Sequence, residues 1–156
     1  MGSKIKRYHV EKHSVEYGDL VEDTIQLEIP VTLADYVGEV AIDSTGVKFV
    51  TRSWKVTSEL VKHLKHAYLV AFASSPTATD ATVKVELFNV SDSSVVTSLE
   101  YAGEGGYKRS SDIADTLKTL TGKQIGVRVN VTTASATTGA TQVFRAAVLR
   151  LVLGIS

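Results

Sequence analysis

The sequence predicts an all-β protein: an antiparallel two-sheet β-sandwich with one or two short helices. Three observations predict it. Period-two alternation of apolar and polar residues dominates the 156-residue chain, as expected where one strand face meets a core and the other meets water. Turn-rich stretches of Gly, Ser, Thr and Asp separate many short alternating runs. The regular exchange of strands with full-length helices that a parallel sheet requires is missing.

The elements follow in order. In 21–29, Val21, Ile25, Leu27 and Ile29 share one face, and Glu22, Thr24, Gln26 and Glu28 share the other. Asp23 interrupts the apolar face, and Pro30 ends the strand or marks an edge. Val40 and Ile42 alternate with Glu39, Ala41 and Asp43, and Asp43-Ser44-Thr45-Gly46 reads as a turn with Gly46 at positive φ. Extended character resumes over 47–57 through Val47, Phe49, Trp54 and Val56. Ser58 is placed to cap a short helical turn carrying Leu60, Val61 and Leu64.

Residues 67–73 are apolar on both faces, which predicts a central strand covered on both sides, ended by Ser74-Ser75-Pro76-Thr77. Val83, Val85 and Leu87 alternate with Lys84, Glu86 and Phe88, and Ser91-Asp92-Ser93-Ser94 joins this strand to 95–101 as a hairpin. The glycines at 103, 105 and 106 predict a flexible loop. Residues 111–121 form the best helix candidate: Ser111 caps it, Asp112 suits its positive end, Ile113, Leu117 and Leu120 share a face, and Gly122 stops it. Ile125, Val127, Val129 and Val131 alternate with Gly126, Arg128 and Asn130, and a Ser/Thr/Gly loop at 132–141 leads to the last strand, 142–153.

Composition bounds the function. The chain is long enough for one domain with a real core, divided here into an N-terminal arm over 1–20, flexible or interface-forming, and a sandwich over 21–156. Formal net charge is zero, with 17 basic and 17 acidic residues, so a whole-chain basic footprint for nucleic acid is absent. The arm alone is basic, through Lys4, Lys6, Arg7 and Lys12. Met1-Gly2-Ser3 reads as an expression scar. No stretch has the roughly 20 apolar residues of a membrane span, and no apolar run follows the basic start as a secretory signal would. Zero cysteines exclude disulfides and Cys-ligated metals. Depletion of Cys, Met, Asn and Gln suggests a thermophilic source.

Chemistry-bearing motifs are few. His9 and His13 at i, i+4, and His63 and His66 at i, i+3, could share helical faces, but their neighbours are lysines and no HExxH frame occurs. No GxSxG elbow marks a serine nucleophile. Glu86, Glu100 and Glu104 are the carboxylates from which a glycosidase pair could be drawn. The glycines at 103–106 lack the frame of a phosphate loop. No cofactor is expected; calcium is the one ion considered, at Asp19, Glu22 and Asp23 or at Asp112 and Asp115. Asn89 and Asn130 each open a glycosylation tripeptide. The expectation is therefore not an enzyme.

Residues 54–153 resemble the jelly-roll sandwiches of carbohydrate-binding modules and of viral or archaeal surface structural proteins. The resemblance rests on 67–73, 83–90, 95–101, the interposed 111–120 helix, and the terminal strands 125–131 and 143–153. It implies either of two functions. The first is a structural subunit of a capsid, tube or filament, in a virion or outside the cell. Its partner is itself, through the arm residues Tyr8, Val10, Val15 and Tyr17 and through Phe144, Val148, Leu149 and Leu151 of the doubly apolar last strand. Its basic arm could touch nucleic acid through Lys4, Lys6 and Arg7. The alternative is glycan binding, with sugar rings stacked on Trp54, Tyr101 or Tyr107 and with Lys108 and Arg109 as polar partners.

Overall fold

The computed structural model describes residues 25–29, 38–50 and 53–154. They form β1 (Ile25–Ile29), β2 (Gly38–Ala41), β3 (Gly46–Val50), β4 (Trp54–Lys55), α1 (Ser58–His63), β5 (Leu64–Ala73) and β6 (Thr82–Asn89). Then follow β7 (Ser94–Ala102), β8 (Gly106–Arg109), α2 (Ala114–Thr119), β9 (Gln124–Thr133) and β10 (Thr141–Leu153). The 1–20 arm and residues 21–24 lie outside the described residues.

The strands form two antiparallel five-stranded sheets, so the expected all-β two-sheet sandwich is the observed architecture. In the first sheet β1 and β2 pair with successive parts of β10, followed by β5 and β8. In the second, β3 and β4 pair with successive parts of β9, followed by β6 and β7. The pairings are nested: β2 with β10, β3 with β9, β5 with β8, β6 with β7. The chain behaves as a long antiparallel ribbon, turned at the β6–β7 hairpin and rolled so that β10 also meets β5 and β9 meets β6.

Alternation builds the core. Val83, Val85 and Leu87 of β6 and Ile125, Val127 and Val129 of β9 point inward from one sheet. Ala67, Leu69, Ala71 and Ala73 of β5 and Phe144, Leu149 and Leu151 of β10 point inward from the other. Ala73 is paired with Phe144 and Ala67 with Leu151, so small residues on β5 leave room for large ones beside them.

Several local details differ from expectation. Thr57, rather than Ser58, caps α1, its hydroxyl accepting from the Leu60 N–H at 3.3 Å. α2 begins three residues late because the preceding segment hydrogen-bonds along β5: the Ser110 N–H donates to Leu69 O at 2.9 Å and the Ile113 N–H to Ala67 O at 2.8 Å. Asp112, rather than Ser111, satisfies the helix start, accepting from Ala114 and Ala67 N–H groups at 3.0 Å each. The 103–106 segment is closely packed rather than a flexible loop. A Cβ on Gly105 would strike the Ser74–Ser75 backbone, and one on Gly103, at φ +78°, would strike Thr79. The Gln142 amide ties the segment down, donating to Ser74 O and Glu104 O at 2.9 Å each. Gly46 and Gly122 take the positive φ expected of a turn and a helix stop.

Candidate functional site

β10 lies inside its sheet, flanked by β1 and β2 on one side and β5 on the other. Its inner face carries Phe144, Leu149 and Leu151, all fully buried within the chain. That corrects their assignment to an assembly surface: their apolarity serves the core between the sheets. Val148, in register with Val70, is half-buried on the outer face. Arg145 sits at a β-bulge between Phe144 and Ala146 and is exposed. Tyr8, Val10, Val15 and Tyr17 lie outside the described residues.

The three aromatic candidates separate. Tyr101 is 0% exposed and meets Phe144 edge to face, with ring centroids 5.6 Å apart. Its hydroxyl donates to Gly106 O at 3.1 Å. It is therefore a core residue and not a stacking platform; it follows Leu99 in the inward parity of β7. Trp54 is half-buried against the core, with its indole N–H unpartnered. Tyr107 alone is open, at 56%.

Tyr107 stands directly across from Phe72, itself 41% exposed. Residue by residue, β5 turns Tyr68, Val70 and Phe72 to this outer face, opposite in parity to the buried Leu69, Ala71 and Ala73. Arg109 pairs in register with Val70, and its guanidinium carbon lies 4.6 Å from the Tyr68 ring centroid. The result is an aromatic and basic face built from neighbouring strands. Reading 67–73 as apolar on both sides missed Phe72 and Tyr68 as surface residues; the parity of the alanines was the available clue.

The outer face of the second sheet is different. Buried Glu86 accepts from Arg128 Nε at 2.5 Å and from Asn130 Nδ2 at 3.4 Å, and Arg128 covers the Phe88 ring at 3.8 Å. Glu100 pairs with Lys84 at 3.4 Å, and Glu104 pairs with Lys108. All three carboxylates considered for glycoside chemistry are thus engaged by cations. Hydrogen bonding from Lys108 holds the Glu104 carboxyl below the usual range. Lys108 also donates to Glu100 O at 2.5 Å and lies 4.9 Å from the Tyr101 ring centroid. It closes the open side of the sandwich between edge strands β7 and β8, a charged guard against further strand pairing.

The remaining motifs have structural partners. His66 Nδ1 meets Asp112 Oδ2 at 2.7 Å. His63 ends α1 while His66 lies on β5, so the pair shares no helical face. Asp115 pairs with Lys118. Among the described residues no three His, Asp or Glu side chains gather as a metal site; Asp19, Glu22 and Asp23, like His9 and His13, lie outside them. Asn89 is buried and donates to Asp92 at 2.9 Å, whereas Asn130 is half-buried and donates to Glu86 at 3.4 Å. Among the described residues no helix is long and apolar enough to cross a membrane. No protein-family model matches the chain, and no curated protein matches it.

Proposed function

We propose that the chain is a non-catalytic structural subunit that assembles with copies of itself into a capsid, tube or filament, in a virion or outside a cell. The carrying observation is a set of large apolar side chains that, among the described residues, lie outside the core. Val47 and Val50 on β3 are 45% and 60% exposed, and Val95 on β7 is 46% exposed. β3 and β7 are opposite edges of the second sheet. Sticky contacts at opposite edges favour head-to-tail rows over closed pairs. The nested, rolled strand order supports a jelly-roll reading, a fold used by capsid and lectin domains alike, so the order itself does not choose a function. Light scattering after size exclusion, with negative-stain microscopy, tests the proposal. Rings, tubes or shells are expected, and Val50→Asp and Val95→Asp should return the protein to monomers. A wild-type monomer at every concentration overturns it. The exposed Tyr107–Phe72 pair favours a second reading, a carbohydrate-binding module. It predicts retention on a glycan array that Tyr107→Ala abolishes.

A further inference from the structure

We propose that the outer face of the first sheet binds single-stranded nucleic acid, stacking bases on Phe72 and Tyr107 and holding phosphates with Arg109 and Arg145. The two rings are cross-strand neighbours on one surface and both are open to solvent. Stacking on such rings tolerates any base, because every base has a π-face. Arg109 is held over the sheet by the Tyr68 ring. Arg145 is exposed and adjoins Ala146, the residue paired with Phe72, so its backbone position is next to the aromatic pair. β5 and β8 bring His66, Tyr68, Val70, Phe72, Tyr107 and Arg109 to this face; of its carboxylates, Asp112 on His66 and Glu28 of β1, in register with Arg150, lie at the far end from the ring pair.

Charge decides between occupants. Two copies packed face to face would set Arg109 and Arg145 against like charges, which opposes self-association here. A neutral glycan would use the rings and leave the arginines unmatched. A single strand matches both features. The proposal does not rest on self-assembly, because the edge valines of the second sheet form a different surface.

Fluorescence anisotropy with labelled oligothymidylate and oligouridylate of about 20 nucleotides tests it. Saturable binding is expected at about 50 mM salt, weakening towards about 200 mM. Phe72→Ala and Tyr107→Ala should each weaken binding about tenfold. Arg109→Gln should reduce the slope of log affinity against log salt by about 0.7. Tyr107→Ser gives a second version of the aromatic test, and circular dichroism confirms folding. The arm variant Lys4→Glu/Lys6→Glu/Arg7→Glu should retain most of the affinity. The proposal is overturned by absence of binding at low salt, by binding lost through the arm alone, or by binding indifferent to both aromatic variants. Retention of neutral glycans without oligonucleotides overturns it too, as does self-association broken by Tyr107→Ala without oligonucleotide binding.

Discussion

Tyr101→Ala should cost far more stability than Tyr107→Ala, although both remove a tyrosine ring only six positions apart. Tyr101 is fully buried, meets Phe144 edge to face, and donates its hydroxyl to Gly106 O. Truncating a buried aromatic to Ala costs about 3–5 kcal/mol. The hydroxyl bond contributes about 1 kcal/mol of that, so Tyr101→Phe should lose about 1 and Tyr101→Ala about 4. At about 3 °C per kcal/mol for a chain of this size, the melting temperature should fall by about 3 °C and about 12 °C. Tyr107 is 56% exposed and its truncation should stay within about 0.5 kcal/mol. Thermal and urea unfolding followed by circular dichroism give the numbers. Equal losses for Tyr101→Ala and Tyr107→Ala would refute the placement of the two rings. Alkali provides a separate check. Burial, with the nearby Glu104 charge, pushes the Tyr101 phenol up to about 12. The folded value lies above the unfolded one of about 10. The associated stability is therefore complete below about pH 10 and is lost as pH rises towards 12. Tyr101→Phe should lack this alkaline loss.

Three further outcomes are expected. Arg128→Met should cost about 3 kcal/mol because it leaves Glu86 buried without its cation, and Arg128→Met/Glu86→Leu should recover most of that in urea melts. The Ser135 hydroxyl and Ala136 N–H lower the Asp80 carboxyl, and Lys123 and Asn89 lower that of Asp92. Burial opposes ionisation of Asp112, but His66 and the Ala67 and Ala114 N–H groups outweigh it and hold that carboxyl down. Folded values below unfolded ones mean stability present above about pH 4 and lost as pH falls through the lowered values; the urea midpoint should drop from pH 5 to 2, less steeply in Asp112→Asn. Gly105→Ala should lower the melting temperature by several degrees, because its Cβ meets the Ser74–Ser75 backbone and no side chain can yield.

Strand existence was legible where one face met the core and the other met water. β9 is the clearest case: Ile125, Val127, Val129 and Val131 are all buried, while Arg128 and Asn130 emerge. The β6–β7 hairpin was legible for the same reason. The order of strands was not, because alternation reports the parity of a side chain and carries no information on which strand lies beside it. Parity also fails when both faces are apolar. In β10 the inward Phe144, Leu149 and Leu151 and the outward Val148 and Val152 look alike in sequence, and the Arg145 bulge shifts the phase between them. Caps failed for a different reason. Ser111 and Asp112 are both competent at a helix start, and what favours Asp112 is the Ala67 N–H on β5, a neighbour 45 positions away in the chain. The aromatic face depended on that same unknown pairing, since only the β5–β8 register brings Tyr107 opposite Phe72.

The two outer faces of the sandwich treat charge in different ways, and the difference bears on what each can bind. On the second sheet Arg128 is matched by Glu86 and Lys84 by Glu100. A polar ligand arriving there would have to replace interactions already made, at the desolvation cost of a buried carboxylate. On the first sheet Arg150 stands in register with Glu28, whereas Arg109 has an aromatic ring as its neighbour. A ring stabilises a guanidinium through its face while leaving the edge N–H groups able to donate. Such an arginine is pre-oriented yet still open to an anion, so binding requires little reorganisation. Apolar contacts at the edges of the second sheet need no such opening, because Val47, Val50 and Val95 lose only ordered water on contact. The surface proposed for self-assembly and the surface proposed for an anionic chain therefore share no residue, and each can be tested by variants that leave the other intact.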